Sequence, residues 1–196
     1  MLDRNPVKDN ILEEIYKILE PHIDIIKNTP YKKNNPDWKK YVSKERLDEL
    51  YDQDVTKNLD KNLTRVIIKG GEPLESIEHG WNLSKLKKLD ISEIEWLVQS
   101  VFPKNRLKLS GDFYYPPTGF MGWHTNHDAP CERLYINYAS EDKKSFFRYF
   151  EGGQIVTDYD NIGMNARKFT CTGERPYFWH CVGSECDRIS FGFKLL

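Results

Sequence analysis

The chain contains no long hydrophobic run, no surplus of charge of one sign and no secretory leader. A helix needs about 20 consecutive apolar residues to cross a bilayer, so we expect no membrane association. Lys and Arg number 29 and Asp and Glu number 30, for a net charge of -1, which argues against nucleic acid as a partner. Residues 2–10 carry charges and a proline where a signal peptide would be apolar, so we expect a cytoplasmic location.

Cysteine is scarce, and no Cys-x-x-Cys pair occurs. The four cysteines, all in the C-terminal third, are Cys131, Cys171, Cys181 and Cys186. This density in a 196-residue chain argues against a disulfide framework, and reduced thiols are expected.

What is present fits a single domain over residues 1–196, with 39% hydrophobic residues to build a core. Apolar residues recur at helical spacing over 11–19, and Pro21 should end that helix. A shorter helix is expected over 43–52, and 64–68 has the pattern of a strand. The first half of the chain, residues 1–103, is therefore predicted to be mainly helical.

A second clear helix is predicted before Pro103. Ser92 and Glu95 have the spacing of a capping box, and the apolar residues that follow share one helical face. The sequence therefore predicts a helix that begins near Ser92 and stops near Pro103.

After residue 103 the pattern changes to short β-branched and aromatic runs separated by turn residues. The predicted strands are 107–115, 121–126, 134–138, 145–150, 166–171, 177–181 and 188–194. Many short strands with regular turns are typical of an antiparallel sandwich or jelly roll. The sequence therefore predicts an α+β domain in which a jelly roll at 104–196 is braced by helices on one face of its sheets.

The stretch GWHTNHD, at residues 122–128, is the first candidate metal site. Side chains two apart in a strand point to the same face, so His124 and Asn126 are expected to converge. His127 should face away from them.

Further candidates follow downstream. His180 lies 56 residues after His124, and Arg188 lies eight residues beyond His180. Arg188 and Ser190 share a strand face. A guanidinium on the inner face of an apolar strand needs an anionic partner, and a bound carboxylate would match its planar fork.

Together these residues resemble the Fe(II)- and 2-oxoglutarate-dependent oxygenases. That family carries His-x-Asp or His-x-Glu on a strand, a distal His, and then an Arg or Lys. The matching positions here are His124, Asn126, His180 and Arg188, with Ser190 completing an Arg-x-Ser pair. The run at 114–124 is similar to the family's Tyr-x-Pro-Gly approach, with Tyr115 as the best match for its tyrosine and Tyr114 second. The resemblance covers about residues 107–194.

The resemblance implies a jelly roll of the double-stranded β-helix, or cupin-like, type. The implied Fe(II) ligands are His124, Asn126 and His180. The residues implied to bind 2-oxoglutarate are Arg188, Ser190 and Tyr115. Apolar walls are expected from Phe147, Trp179 and Phe191. The implied activity is a dioxygenase that uses molecular oxygen to hydroxylate a C–H bond of a small-molecule or peptidyl substrate, with release of succinate and CO2.

Asn126 departs from the family pattern, because it stands where a carboxylate is expected. A neutral amide oxygen binds a divalent cation more weakly than a carboxylate does. Four interpretations stay open: Asn126 as a weaker third ligand, two histidines plus water, Asp128 as the carboxylate, or a degenerate metal site. The last would make the chain a non-catalytic, cupin-like module that binds a small molecule.

A zinc site is a further alternative, built from His124, His127, Cys131 and His180. His-x-x-His on a strand points its rings to opposite faces, so this site would need a turn, and it leaves Arg188 and Ser190 unexplained.

Other residues receive weaker assignments. Arg133 and Arg148 are interpreted as structural or surface residues, one of which could reach the substrate. Tyr135 and Asn137 share a strand face that could line the pocket, and 151–165 is a candidate lid. His22 and His79 are read as incidental. The substrate stays open among peptidyl proline or asparagine, a free amino acid, a nucleobase and a small metabolite.

Overall fold

The computed structural model describes residues 2–28, 37–57, 84–86, 89–127 and 129–196, with the backbone alone at 52–57 and 84–85. The strand predicted at 64–68, His79 and Asp128 lie outside these residues. None of the helices in the described part is long and apolar enough to cross a membrane.

Helices dominate the described part of the N-terminal half, as predicted. They are α1 (Asp9–Leu19), α2 (Ile23–Lys27), α3 (Trp38–Tyr41), α4 (Lys44–Lys57) and α5 (Ser92–Val101). α1 ends at Leu19 because Pro21, inside a 3-10 turn at Glu20–His22, cannot continue the α-helical hydrogen bonds.

The helix before Pro103 has nearly the predicted length, but the predicted capping box is wrong. Ser92 makes no side-chain cap, and the residue at the cap position is Ile91. The Ser92 N–H donates instead to Asp90 Oδ1, at 2.9 Å. Asp90 therefore accepts from the Ser92 N–H in place of the Glu95 side chain, and the Glu95 N–H that the serine was expected to cap donates to the Ile91 carbonyl at 2.8 Å.

Strands form the rest of the described chain. They are β1 (Ser84–Lys85), β2 (Leu107–Tyr115), β3 (Phe120–His124), β4 (Cys131–Ala139), β5 (Ser145–Glu151), β6 (Gln154–Tyr159), β7 (Gly163–Cys171), β8 (His180–Ser184) and β9 (Arg188–Leu195). All pairings are antiparallel, in one sheet of order β1-β2-β9-β4-β7 and one of order β3-β8-β5-β6. Successive strands pass between the two sheets, which is the jelly-roll arrangement, so the predicted fold class is confirmed.

The secondary structure differs from expectation at two places in this half. The segment 151–165, a candidate lid, contains β6 and the start of β7. Gly152 and Gly153, with φ of 59° and 81°, form a two-residue hairpin turn between Glu151 and Gln154. The strand predicted at 177–181 instead begins at His180 and runs to Ser184.

The helices cover the outer faces of both sheets, not one as expected. Apolar residues of α1 and α5, such as Ile15 and Ile94, pack with Ile136 and Phe191 of the five-stranded sheet. Residues of α3 and α4 pack on the four-stranded sheet; the buried members of that cluster are Trp38, Val42, Leu47, Leu50, Phe120, Trp123, Phe146, Trp179 and Cys181.

A third cluster lies between the sheets. Its buried members are Tyr115, Phe147, Tyr149, Phe169, Cys171 and Val182. Because alternate residues of a strand face opposite ways, the remaining inward positions carry polar side chains from β4, β7, β8 and β9 into the same space. This space holds the candidate site.

Candidate functional site

His124 and His180 come together because they are direct register partners on β3 and β8. Their ring centroids lie 4.1 Å apart. His124 Nδ1 lies 2.8 Å from the Gly122 carbonyl oxygen, and His180 Nδ1 lies 2.9 Å from that of Phe178. A carbonyl oxygen only accepts, so each Nδ1 carries the proton, and in the neutral rings Nε2 is the nitrogen with the lone pair.

Asn126 joins the pair through a turn and not through strand alternation. β3 ends at His124, and Asn126 has a positive φ of 55°, a conformation that asparagine tolerates. Its Nδ2 lies 3.1 Å from His180 Nε2, and its side chain also hydrogen-bonds the Tyr135 phenol. The amide N–H therefore points at the lone pair of His180.

Aromatic rings surround His180, which is fully buried. The ring centroids of Phe147, Phe169 and Phe178 lie 5.5, 5.2 and 5.5 Å from the centroid of the His180 imidazole. Burial lowers the pKa of His180 to about 3, and the nearby charge of Arg133 acts in the same direction. The ring is therefore neutral at physiological pH, the form in which imidazole binds a metal ion.

A cavity of about 240 Å³ opens beside these side chains. Its walls include His124 and Asn126 together with Tyr115 and Ser190; the other lining residues are Ser110, Gly111, Phe113, Met121, Arg133, Tyr135, Val182 and Gly192. Four of the predicted iron and cosubstrate residues therefore line one cavity. His180 does not line it but contacts Asn126, and Arg188 does not line it either.

Two glycines on neighbouring strands leave room for this cavity. Gly111 of β2 is the register partner of Gly192 of β9. A Cβ on Gly192 would lie 3.1 Å from Tyr135 Cε1 and 3.2 Å from Ser110 Oγ. Any larger residue there would fill space between those side chains.

Arg188 lies behind the cavity wall. It is 1% exposed, and its Nε donates to Asp160 Oδ2 at 2.9 Å. Its guanidinium carbon lies 5.3 Å from the ring centroid of Tyr115, which does line the cavity. Within the described part of the chain, Nη1 and Nη2 of Arg188 have no hydrogen-bond partner.

Asp160 binds Arg188 into a buried network that the sequence did not reveal. Arg167 donates to Asp160 Oδ1 and to Asp158 Oδ2, each at 2.5 Å, and Ser145 also donates to Asp160. Burial raises the pKa of Asp160, but Arg188 and Arg167 outweigh that effect and hold it well below its ordinary value. Asp160 is therefore ionised and partly neutralises Arg188.

Tyr115 and Ser190 occupy the wall between the network and the open space. Ser190 is 7% exposed, and it pairs in register with Phe113 and Asn137. Burial raises the pKa of Tyr115 to about 12, with Arg188 acting against that shift. The phenol therefore stays protonated and can donate a hydrogen bond.

Arg133 is a cavity residue that the sequence had placed among structural or surface positions. It is 3% exposed and shares a face of β4 with Tyr135, which also lines the cavity as predicted. The signal was present in the strand alternation of Arg133 and Tyr135. Arg148, by contrast, bonds Thr157 and the Val42 carbonyl, away from the cavity.

Several expectations are corrected here. Phe191 and Trp179 do not line the inner space, because each packs against the helices outside its sheet, whereas Phe147 does lie between the sheets. Asn137 is buried against Arg167. No group of three or more His, Cys, Asp or Glu able to hold a metal occurs among the described residues, which argues against the zinc alternative. His127 hydrogen-bonds Thr125 and stacks on Tyr177.

The chain matches no protein-family model, and no curated protein matches its sequence. Solved structures with a similar arrangement include 2OG-Fe(II) oxygenases. A prolyl hydroxylase from Trichoplax adhaerens, in complex with a hypoxia inducible factor peptide fragment, is 10% identical with a TM-score of 0.44, over 95% of this chain and 91% of that one. A prolyl-4-hydroxylase from Pseudomonas putida is 14% identical with a TM-score of 0.42, over 91% and 98%.

A 2OG-Fe(II) oxygenase family oxidoreductase from Burkholderia pseudomallei is 12% identical with a TM-score of 0.36, and the match spans 56% of this chain and 54% of that one. Likenesses this distant assign no residue a role and no substrate to this chain.

Proposed function

We propose that this protein is an Fe(II)- and 2-oxoglutarate-dependent dioxygenase that hydroxylates a C–H bond. The observation that carries the proposal is the convergence of His124, Asn126 and His180, the first two of which line the cavity. The end of β3, the turn after it and the start of β8 supply this set, although β3 and β8 are far apart in sequence.

The donor set fits iron(II) in type. Two neutral imidazoles and one amide oxygen suit a borderline cation, and their arrangement on one side would leave positions for other ligands. The amide of Asn126 would have to turn, since its N–H now faces His180 Nε2 and only its oxygen can bind a metal. All three donors are neutral, so we expect weak iron binding that a dianionic cosubstrate strengthens.

The opposite end of the site fits the distal carboxylate of 2-oxoglutarate. Arg188 offers two buried η nitrogens that have no partner among the described residues, and burying such donors unpaired is costly. Ser190 and the Tyr115 phenol would add hydrogen bonds. Because Tyr115 forms the wall in front of Arg188, its ring would have to move aside for the carboxylate to reach the guanidinium.

When bound, iron(II) and 2-oxoglutarate would supply the oxidising chemistry that places one oxygen atom of O2 on the substrate and the other in succinate, with loss of CO2. The chain's own residues would orient and shield this chemistry. The bonds from each Nδ1 to a backbone carbonyl fix the two imidazole rings. Phe113, Met121 and Val182 present apolar walls that exclude water.

A second candidate function is a small-molecule-binding module of the cupin type without catalysis. Two observations favour it. An amide stands at the third ligand position, where a carboxylate is expected, and Asp160 is already paired with Arg188. The two functions differ in whether the chain binds iron.

The test is anaerobic titration of the full chain with iron(II) and 2-oxoglutarate. We expect a weak visible charge-transfer absorption with both components and none with 2-oxoglutarate alone, followed by iron-dependent succinate formation in air. H180A should abolish the absorption, whereas the exposed histidine variant H22A should keep it. A wild-type chain with neither the absorption nor succinate would leave the binding module as the function.

A further inference from the structure

Arg133 lies at the histidine end of the cavity. It is the third residue of β4, and Tyr135, two residues on, lines the same cavity and hydrogen-bonds Asn126. The Tyr135 ring centroid lies 6.4 Å from that of His180. Arg133 therefore faces the same space as the three proposed iron ligands.

The guanidinium of Arg133 is not neutralised. Its Nη2 donates to the Ala129 carbonyl at 3.2 Å, and its buried Nε has no hydrogen-bond partner among the described residues. No described carboxylate forms an ion pair with it. A buried cation held by one neutral acceptor is costly, and an anionic ligand would offset much of that cost.

The rest of the cavity wall combines polar side chains such as Ser110 and Ser190 with apolar ones. Arg133 is the one permanently charged side chain among the described lining residues, and no described Asp or Glu is present to receive an ammonium group. Phe113, Met121 and Val182, with the floor at Gly192, offer apolar contact. A ligand that fits this wall has one acidic group and an aliphatic body.

Arg133 and Arg188 cannot hold the same carboxylate. Arg188 pairs in register with Ala139, six residues along β4 from Arg133. At about 3.4 Å per residue, the two Cα positions differ by roughly 20 Å along the strand. The two arginines therefore face two different anionic groups.

We infer that Arg133 binds a carboxylate of the substrate, and that the substrate is a small aliphatic acid without an amine. This rests on the proposed function, in which Arg188 takes the cosubstrate. The carboxylate accepts hydrogen bonds from the Arg133 guanidinium, and the aliphatic body lies over Gly192 toward the histidine pair. Free amino acids fit less well, because their ammonium group would meet no negative charge among the described residues.

The test uses calorimetric titration of the full chain, without iron, with three probes: hexanoate, hexanamide and 6-aminohexanoate. We expect hexanoate to bind at least about tenfold more tightly than either of the others, the range for a charge-assisted hydrogen bond. R133Q should remove that preference, and R133K should keep part of it because it retains the charge but not the Nε–H. R148Q, an arginine outside the cavity, is the matched control and should bind hexanoate like the wild type.

Equal binding of hexanoate and hexanamide by the wild type, or hexanoate binding that survives R133Q, would overturn the inference. So would a loss of 2-oxoglutarate affinity in R133Q of more than about tenfold, measured by the charge-transfer absorption, since Arg133 would then hold the cosubstrate. If the wild type shows no such absorption but binds hexanoate through Arg133, the acid site stands and the oxygenase function fails. If the wild type shows the absorption but binds hexanoate and hexanamide equally, the oxygenase function stands and the acid site fails.

Discussion

The two ends of the space between the sheets both contain buried arginines, but they treat them in opposite ways. At one end, Arg167 and Arg188 are matched by Asp158 and Asp160 within the fold. At the other end, Arg133 faces a cavity, and its one acceptor among the described residues is a backbone carbonyl oxygen. The first end therefore pairs most of its charge within the fold, and the second leaves a charge available to a ligand.

This difference shows why a buried arginine is not by itself evidence of a binding site. Arg188 has the sequence position expected for an anion-binding residue, yet part of its charge is already used by Asp160. Arg133 has no sequence motif, yet its surroundings leave its charge unmatched. The predictions that follow alter one end at a time.

The largest effect is expected from D160N, which removes the negative charge that Arg167 and Arg188 share at the first end. This change leaves Arg167 and Arg188 buried beside a neutral amide, and removing one partner of a buried ion pair costs about 3–5 kcal/mol. Urea unfolding at pH 7 measures the loss, with the exposed variant E141Q as control. A loss as small as that of E141Q would show that the network contributes nothing to stability.

The stability difference between the wild type and D160N should depend on pH. The pKa of Asp160 is held below its ordinary value, so its stabilising contribution is complete above about pH 4, the value in the unfolded chain, and is lost as pH falls further. The difference in unfolding free energy between wild type and D160N should therefore narrow between pH 7 and pH 3. A difference that stays constant would contradict the assignment of an ionised Asp160.

A smaller effect is expected from G192V, which adds a side chain to the cavity at the second end. The added side chain meets Tyr135 and Ser110, so it occupies the floor of the cavity. We expect about tenfold weaker binding of both hexanoate and 2-oxoglutarate, with unfolding stability changed by no more than about 1–3 kcal/mol. Unchanged affinity, measured by the same titrations, would show that neither ligand uses this floor.

A gain in iron(II) affinity is expected from N126D, which adds a negative charge beside the histidine pair. The carboxylate removes the N–H that faces His180 Nε2 and supplies an anionic oxygen, so iron(II) affinity should rise about tenfold. Equilibrium dialysis of iron under anaerobic conditions measures it. If affinity falls, the amide is not at the third ligand position.

The smallest effect is expected from D128A. Asp128 lies two residues after Asn126 in sequence, and we expect iron affinity to stay within about twofold of the wild type because Asn126 takes the third position. The same dialysis applies. A large loss of iron would assign the carboxylate role to Asp128 instead.

Much of the fold could be predicted from local patterns. The runs that became β2, β4, β5 and β9 were visible because alternation and turn residues are local signals. β6 was missed because Gln154–Tyr159 lies between turn-forming residues and is only partly buried, and its pairing with β5 depends on the Gly152-Gly153 turn. The predicted capping box did not form because Asp90 accepts from the Ser92 N–H in place of Glu95, and the Glu95 N–H donates to the Ile91 carbonyl.

The sequence by itself determined which residues could form the candidate site: His124, Asn126, His180 and Arg188 carry the family resemblance that implies it. Only the tertiary structure decided what each of them meets. Asp160 reaches Arg188 from the segment after β6, and Arg133 reaches the histidine pair from β4. Such contacts depend on the register of strands in two facing sheets, which periodicity within one strand does not encode.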